Sequence, residues 1–159
     1  MIFTTKAEYG VRLLIQLGLQ EDGARGGGPI SLKTVAAAEN LPLAYLERIA
    51  ALLKKAGLVA STRGAHGGYV LGQPAAEITM DRVVLALEGA IAPMECFTED
   101  AMTDRVACSH TEGQHCATKL LWTRVQLGVI KSLQRTTLAE LVAFSAAQPV
   151  LPVTSPLPA

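Results

Sequence analysis

No cysteine lies outside residues 96–116, and the three found there make an odd number. An odd count points away from a closed disulfide framework and towards metal binding or redox chemistry. No apolar run approaches the ~18–20 residues needed to cross a bilayer. The amino end, MIFTTKAEYG, has no basic start followed by an apolar signal core, so the chain is expected to be cytosolic, where thiols stay reduced. No glycine-rich loop precedes a helix at P-loop or dinucleotide spacing. No Ser/His/Asp or Cys/His/Asn set has recognisable spacing, so no enzyme is expected. Net charge is also absent: 14 basic side chains balance 14 acidic ones. A neutral chain argues against nucleic-acid binding, since binders are usually basic.

The neutral total conceals an uneven distribution. Residues 1–72 carry eight Lys/Arg against five Asp/Glu, residues 73–118 two against eight, and residues 119–159 four against one. The balances are +3, −6 and +3. A basic front therefore meets an acidic middle. Aromatics are sparse at 4%, yet half of the 159 residues are hydrophobic, enough for a mainly helical core in one domain with an appendage.

The order of elements is legible in the periodicity. Ala7, Val11, Leu14, Ile15 and Gly18 recur at helical spacing, and Thr5 with Glu8 fits a capping box at the start. Glycines and Pro29 then break the chain. Ser31 can cap a short helix, LKTVAAAEN, and LPLA reads as a turn. A second helix, AYLERIAALLKKAG, places Leu46, Ile49, Ala50 and Leu53 on one face, with Gly57 to end it. LVASTRGAHGGYVLG reads as strand, glycine turn, strand. Helix, turn, helix and hairpin is the order of a winged helix. A short helix follows, capped by Thr79 and ended by Gly89. After the cysteines comes a long helix, ATKLLWTRVQLGVIKSLQR. Leu121, Trp122, Val125 and Val129 line one side of it, and Leu120, Leu127 and Ile130 another. A helix apolar on two sides needs two partners, one of them plausibly the same helix of a second chain. Thr137 and Glu140 open a last short helix. The proline-rich tail is expected to be disordered.

Eleven residues separate Cys96 from Cys108, and seven separate Cys108 from Cys116. Structural zinc sites usually include a ligand pair two to four residues apart, and that pairing is missing. Zinc stays open through His110 or His115 as a fourth ligand. Iron–sulfur clusters also use thiolates, with histidine or, more rarely, carboxylate substituting. Three unrelated thiols are the bland alternative. The neighbouring acids, Glu95, Glu99, Asp100, Asp104 and Glu112, would repel thiolates if buried beside them, so they are expected to face water.

YLERIAALLKKAGLVASTRGAHGGYVL, followed by LEG, three cysteines, LLW and TTLAELV, resembles the winged-helix iron–sulfur regulators typified by IscR and NsrR. The resemblance spans roughly residues 3–144. RGAHGGY and LEG are most similar to the subgroup that regulates the SUF cluster-assembly operon. It implies a homodimeric, DNA-binding regulator, mainly α with a small β-hairpin wing: a winged helix-turn-helix plus a long dimerisation helix. Carried over by motif, Cys96, Cys108 and Cys116 ligate a two-iron or four-iron cluster, with Glu8, His110 or His115 completing it. Their spacing departs from the shorter, more even gaps of the best-known members, which leaves cluster type and fourth ligand open. The resemblance also implies a recognition helix starting at Leu43, Ala44 and Tyr45, with Glu47 and Arg48 one turn on. Arg63, Gly64 and His66 form the wing tip, and Lys6 and Lys33 hold phosphates.

The expected division is residues 1–90 for the winged helix-turn-helix and 91–117 for the cluster loop. Residues 118–146 would hold the dimerisation helix and last short helix, and 147–159 the tail. Two other readings remain: a zinc- or thiol-based redox-sensing DNA-binding regulator, and an electron-transfer or cluster-carrier protein without a DNA role.

Overall fold

A computed structural model describes residues 3–21, 27–64, 67–91 and 117–147. Cys96, Cys108, Cys116, His66, His110, His115, the acids around the cysteines and the tail from residue 148 lie outside the described residues.

Three helices open the chain: α1 (Thr5–Glu21), α2 (Leu32–Glu39) and α3 (Leu43–Lys55). A hairpin of β1 (Val59–Thr62) and β2 (Gly68–Leu71) follows. A 3-10 turn, Ala75–Glu77, leads into α4 (Met80–Glu88), and α5 (Ala117–Arg135) and α6 (Leu138–Ala147) complete the described chain. The mainly helical fold with one antiparallel hairpin is the winged-helix arrangement expected. No described helix is long and apolar enough to cross a membrane.

Local chemistry explains several boundaries. Ser31 caps α2, its side chain accepting from the Thr34 amide at 3.1 Å. Asn40 ends α2 in the left-handed region (φ 52°), where its short polar side chain is tolerated. The Thr137 hydroxyl accepts from the Glu140 amide at 3.3 Å, as the predicted capping pair requires. Thr79 stands at the cap position of α4, but its side chain makes no cap hydrogen bond. Its segment instead pairs with the one between α5 and α6: Met80 N–H donates to the Thr136 carbonyl at 3.0 Å, and Leu138 N–H to the Ile78 carbonyl at 2.8 Å.

The sequence suggests one buried stripe on α1, and the structure buries far more of it. Ala7, Gly10, Leu13, Leu14, Gln16, Leu17, Gly18 and Leu19 are all buried. The reason is position: α2, α3, α4, α6 and β2 all pack against α1. Two glycines make the close approaches. A Cβ on Gly10 would lie 2.2 Å from Leu87 Cδ1 of α4, and one on Gly18 would lie 2.4 Å from Val142 Cγ2 of α6. The sequence groups α6 with the long helix, yet α6 packs on α1, with Leu138 and Val142 in the same core as Leu13, Leu17, Leu46 and Ile49.

Candidate nucleic-acid interface

The core-facing side of α3 is Leu46, Ile49, Ala50 and Leu53, all buried. That burial turns Ala44, Glu47, Arg48, Ala51, Lys54 and Lys55 outward, all of them exposed, and Leu43 is 38% exposed at the start of the helix. Ala44, Arg48, Ala51 and Lys55 follow i, i+4, i+7, i+11 spacing and so form one ridge. Tyr45 differs from its neighbours. It is half-buried, and its ring meets Tyr9 of α1 edge-on, with centroids 5.7 Å apart at 87°. Much of its surface is therefore spent on positioning α3 against α1.

The wing stands beside this ridge. Val59 pairs with Leu71 and Thr62 with Gly68. Ile30 extends the pairing: its amide donates to the Tyr69 carbonyl at 3.0 Å, and the Tyr69 amide donates to the Ile30 carbonyl at 2.8 Å. A Cβ on Gly68 would sit 2.6 Å from the Ile30 oxygen, so only glycine permits this approach. Ser61, Thr62, Arg63 and Gly64 are exposed along the strand end and tip, with Gly64 at φ 119°. Lys54 Nζ donates to Ser61 Oγ at 2.6 Å and so ties the recognition helix to the wing. Lys33 is exposed on the first turn of α2.

Lys6 has an intramolecular partner. Its ammonium lies 3.8 Å from Glu88 Oε2, and it is half-buried. Glu88, the last residue of α4, is a functional side chain that local sequence reasoning did not find. Its Oε1 accepts from the Thr4 amide (3.3 Å), the Thr4 hydroxyl and the Ala7 amide (3.1 Å). It therefore reinforces a start that Thr4 caps locally, the Thr4 hydroxyl accepting from the Lys6 amide at 3.2 Å and its carbonyl from the Ala7 amide at 3.0 Å: it puts an anion beside the first turn of α1. Burial raises the Glu88 pKa. The Thr4 side-chain and backbone bonds, the Lys6 charge and the Ala7 amide together outweigh it and hold the carboxyl below its ordinary value.

Glu8 is thereby released from capping. Its side chain is 63% exposed and only 3.7 Å from Arg12 Nη1. It borders an open groove with Phe3, Val11, Val84 and Leu133, between α1, α4 and α5. A carboxylate so placed is chemically available to a metal group. Among the described residues no group of three or more His, Cys, Asp or Glu converges. The cysteine segment is approached from both ends: Gln126 Nε2 of α5 donates to the Ile91 carbonyl at 2.6 Å, and α5 itself begins at Ala117.

On α5 no residue is buried, and Leu120, Leu121 and Leu127 are 55, 56 and 49% exposed. The apolar sides seen in the sequence thus keep large uncovered leucines within one chain.

Known proteins match this arrangement along nearly its whole length. CymR of Bacillus subtilis is 37% identical over 145 residues, covering 91% of this chain and 92% of CymR. Its solved structure, titled the global cysteine regulator of B. subtilis, superposes with a TM-score of 0.72 at 36% identity, covering 91% of this chain and 98% of that one. The solved structure of T. potens IscR gives a TM-score of 0.72 at 31% identity, covering 96% and 94%. IscR of Serratia proteamaculans is 32% identical over 142 residues, 89% of this chain and 79% of that protein. The Rrf2 family, described as an iron-dependent transcriptional regulator, matches residues 3–144. With its central α1, the exposed ridge of α3 and the hairpin in that order, the chain belongs to the Rrf2 family of DNA-binding transcriptional regulators.

Proposed function

We propose that this regulator is a homodimer whose affinity for its operator is set by an iron–sulfur cluster on Cys96, Cys108 and Cys116, with Glu8, His110 or His115 as fourth ligand. Its targets would be genes of cluster assembly or of redox and nitric oxide stress. The observation that carries the reading is positional. All three cysteines lie in the one stretch joining α4, which packs on α1 and α3, to α5, whose leucines are uncovered. When bound, the group would supply an oxidation- and iron-sensitive crosslink at that junction. The chain's own part is to hold the segment's roots, through Gln126 on the Ile91 carbonyl, and to keep the Glu8 carboxylate exposed beside Arg12. The apolar sides of α5 support pairing with the same helix of a second copy.

On the DNA side, Leu43, Ala44, Glu47 and Arg48 would meet base edges in the major groove. Tyr45 would brace them, and Arg63, Gly64 and His66 would enter the minor groove. Lys33 would hold a phosphate. Lys6 would contribute only by exchanging Glu88 for one.

The test is protein purified without air, assayed for iron and sulfide, and compared with its cluster-free form by fluorescence anisotropy on the same duplex. A tenfold difference in affinity requires only ~1.4 kcal/mol of coupling. Equal affinities would remove the sensor and leave the DNA binding. A solved structure of Staphylococcus aureus CymR, 37% identical to this chain, is titled an oxidized form; it favours a second reading, in which the cysteines here act as bare thiols or hold zinc. Zinc without sulfide, or reversible thiol oxidation with no metal, would favour it.

A further inference from the structure

We propose that Arg12 is a positioning residue for DNA reading: from α1 it holds the end of α2, and with it the turn that launches the recognition helix. The inference rests on α3 being the reading helix.

The need for such a residue follows from α2 itself. It is eight residues long and buries only Leu32 and Val35. A helix that short has no stability of its own, and two buried side chains near its first half do not fix where its last turn lies. Its carboxyl end is where Asn40 reverses the chain into Pro42, the cap of α3.

Leu41 anchors the turn beyond α2 in the core, and Arg12 adds a grip on the last turn itself. Its Nε donates to Glu39 Oε2 at 2.8 Å, and its Nη2 donates to the Glu39 backbone carbonyl at 2.6 Å. One planar guanidinium thus grips both the last side chain of α2 and one of its unsatisfied terminal carbonyls. Gln16, buried one turn further along α1, donates to the other Glu39 oxygen. The same guanidinium lies 5.9 Å from the centre of the Tyr9 ring, and Tyr9 meets Tyr45 on α3. Arg12 therefore touches α2 directly and α3 through one ring. Its remaining nitrogen, Nη1, lies 3.7 Å from Glu8, but Nε and Nη2 are committed to Glu39, and the side chain is only partly exposed, unlike Arg48 and Arg63.

Operator sequence enters the test as a duplex enriched from a randomised library by the wild-type protein, with a scrambled duplex as the non-specific control. All binding is measured on cluster-free protein, so the sensor reading is not involved. Arg12→Gln should weaken binding to the enriched duplex about tenfold, with non-specific affinity and the salt slope unchanged. Glu39→Gln should weaken it less, because its amide oxygen still accepts and the backbone carbonyl held by Nη2 remains, and the double variant should be no worse than Arg12→Gln alone, which already removes every contact the pair shares. Arg12→Lys should fall between, since an ammonium cannot match the two-pronged grip. Arg48→Ala serves as the control for α3: if it too leaves the enriched duplex unaffected, the reading helix has been misassigned. Full specific affinity in Arg12→Gln, with Arg48→Ala impaired, overturns the inference. So does a parallel loss on both duplexes with the salt slope reduced by about one, which marks a phosphate contact.

Discussion

Replacing Glu88 with alanine removes one carboxylate that serves the start of α1 from the far end of α4. Losing a helix-start acceptor costs about 1 kcal/mol. The Thr4 donors are exposed, so water replaces Glu88 there, and the partly buried Ala7 amide keeps its bond to the Thr4 carbonyl at 3.0 Å, so no donor is orphaned. The Lys6 pair adds under about 0.5 kcal/mol, because Lys6 is 32% exposed. Together these predict about 1–1.5 kcal/mol, or a melting point lower by about 2–6 °C for a chain of this size. Chemical denaturation at fixed protein concentration, near pH 7, measures it directly.

The pH dependence gives a second constraint on the same residue. The carboxyl's pKa is depressed in the folded protein, so its contribution is complete above its unfolded value of 4.5 and is lost as pH falls through the lower folded value. Wild type should therefore converge on Glu88→Gln below that range, since the protonated carboxyl likewise keeps a neutral acceptor oxygen, and Glu88→Gln should lie between wild type and Glu88→Ala near pH 7. A variant within about 0.5 kcal/mol of wild type near neutrality would refute the capping role. A gap that persists undiminished in acid would refute the electrostatic part.

Three further outcomes are expected. Gly18→Ala should destabilise by about 1–3 kcal/mol despite alanine's better helix propensity, because Val142 is buried and stiff; adding Val142→Ala should recover most of it, as read by urea midpoints. Leu121→Glu with Leu127→Glu should shift sedimentation towards the monomer while the helical circular dichroism is retained. Cys108→Ser should lower iron and sulfide content in protein prepared without air while leaving the melting point of the cluster-free protein unchanged.

Local signals read well where one face of an element met one partner. The 3.6-residue repeat marked Leu46, Ile49, Ala50 and Leu53, and all four are buried. Ser31 capped α2 because a cap needs only its own next turn. Failures came where a distant residue competed with a near one. Thr5 and Glu8 match a capping pair, but Thr4 caps α1 instead, Glu88 adds a carboxylate from α4, and Glu8 turns to Arg12. Lys6 carries a phosphate-binder's charge and sits on the same carboxylate. Arg12, Gln16 and Glu39 showed no pattern at all, since nothing in their spacing announces that two helices will bring them together.

Periodicity, turn glycines and motif order were sufficient to determine a winged helix with its third helix near residues 43–55 and a thiol-rich stretch further on. These depend on interactions within a few residues, which the chain carries wherever it goes. Tertiary structure alone decided that α1 is the hub, that α6 returns to it, and that Glu88 and Arg12 hold the two ends of the machinery in place. Each of those depends on which surfaces exclude water from one another, and that is settled only when helices far apart in the chain compete for the same space.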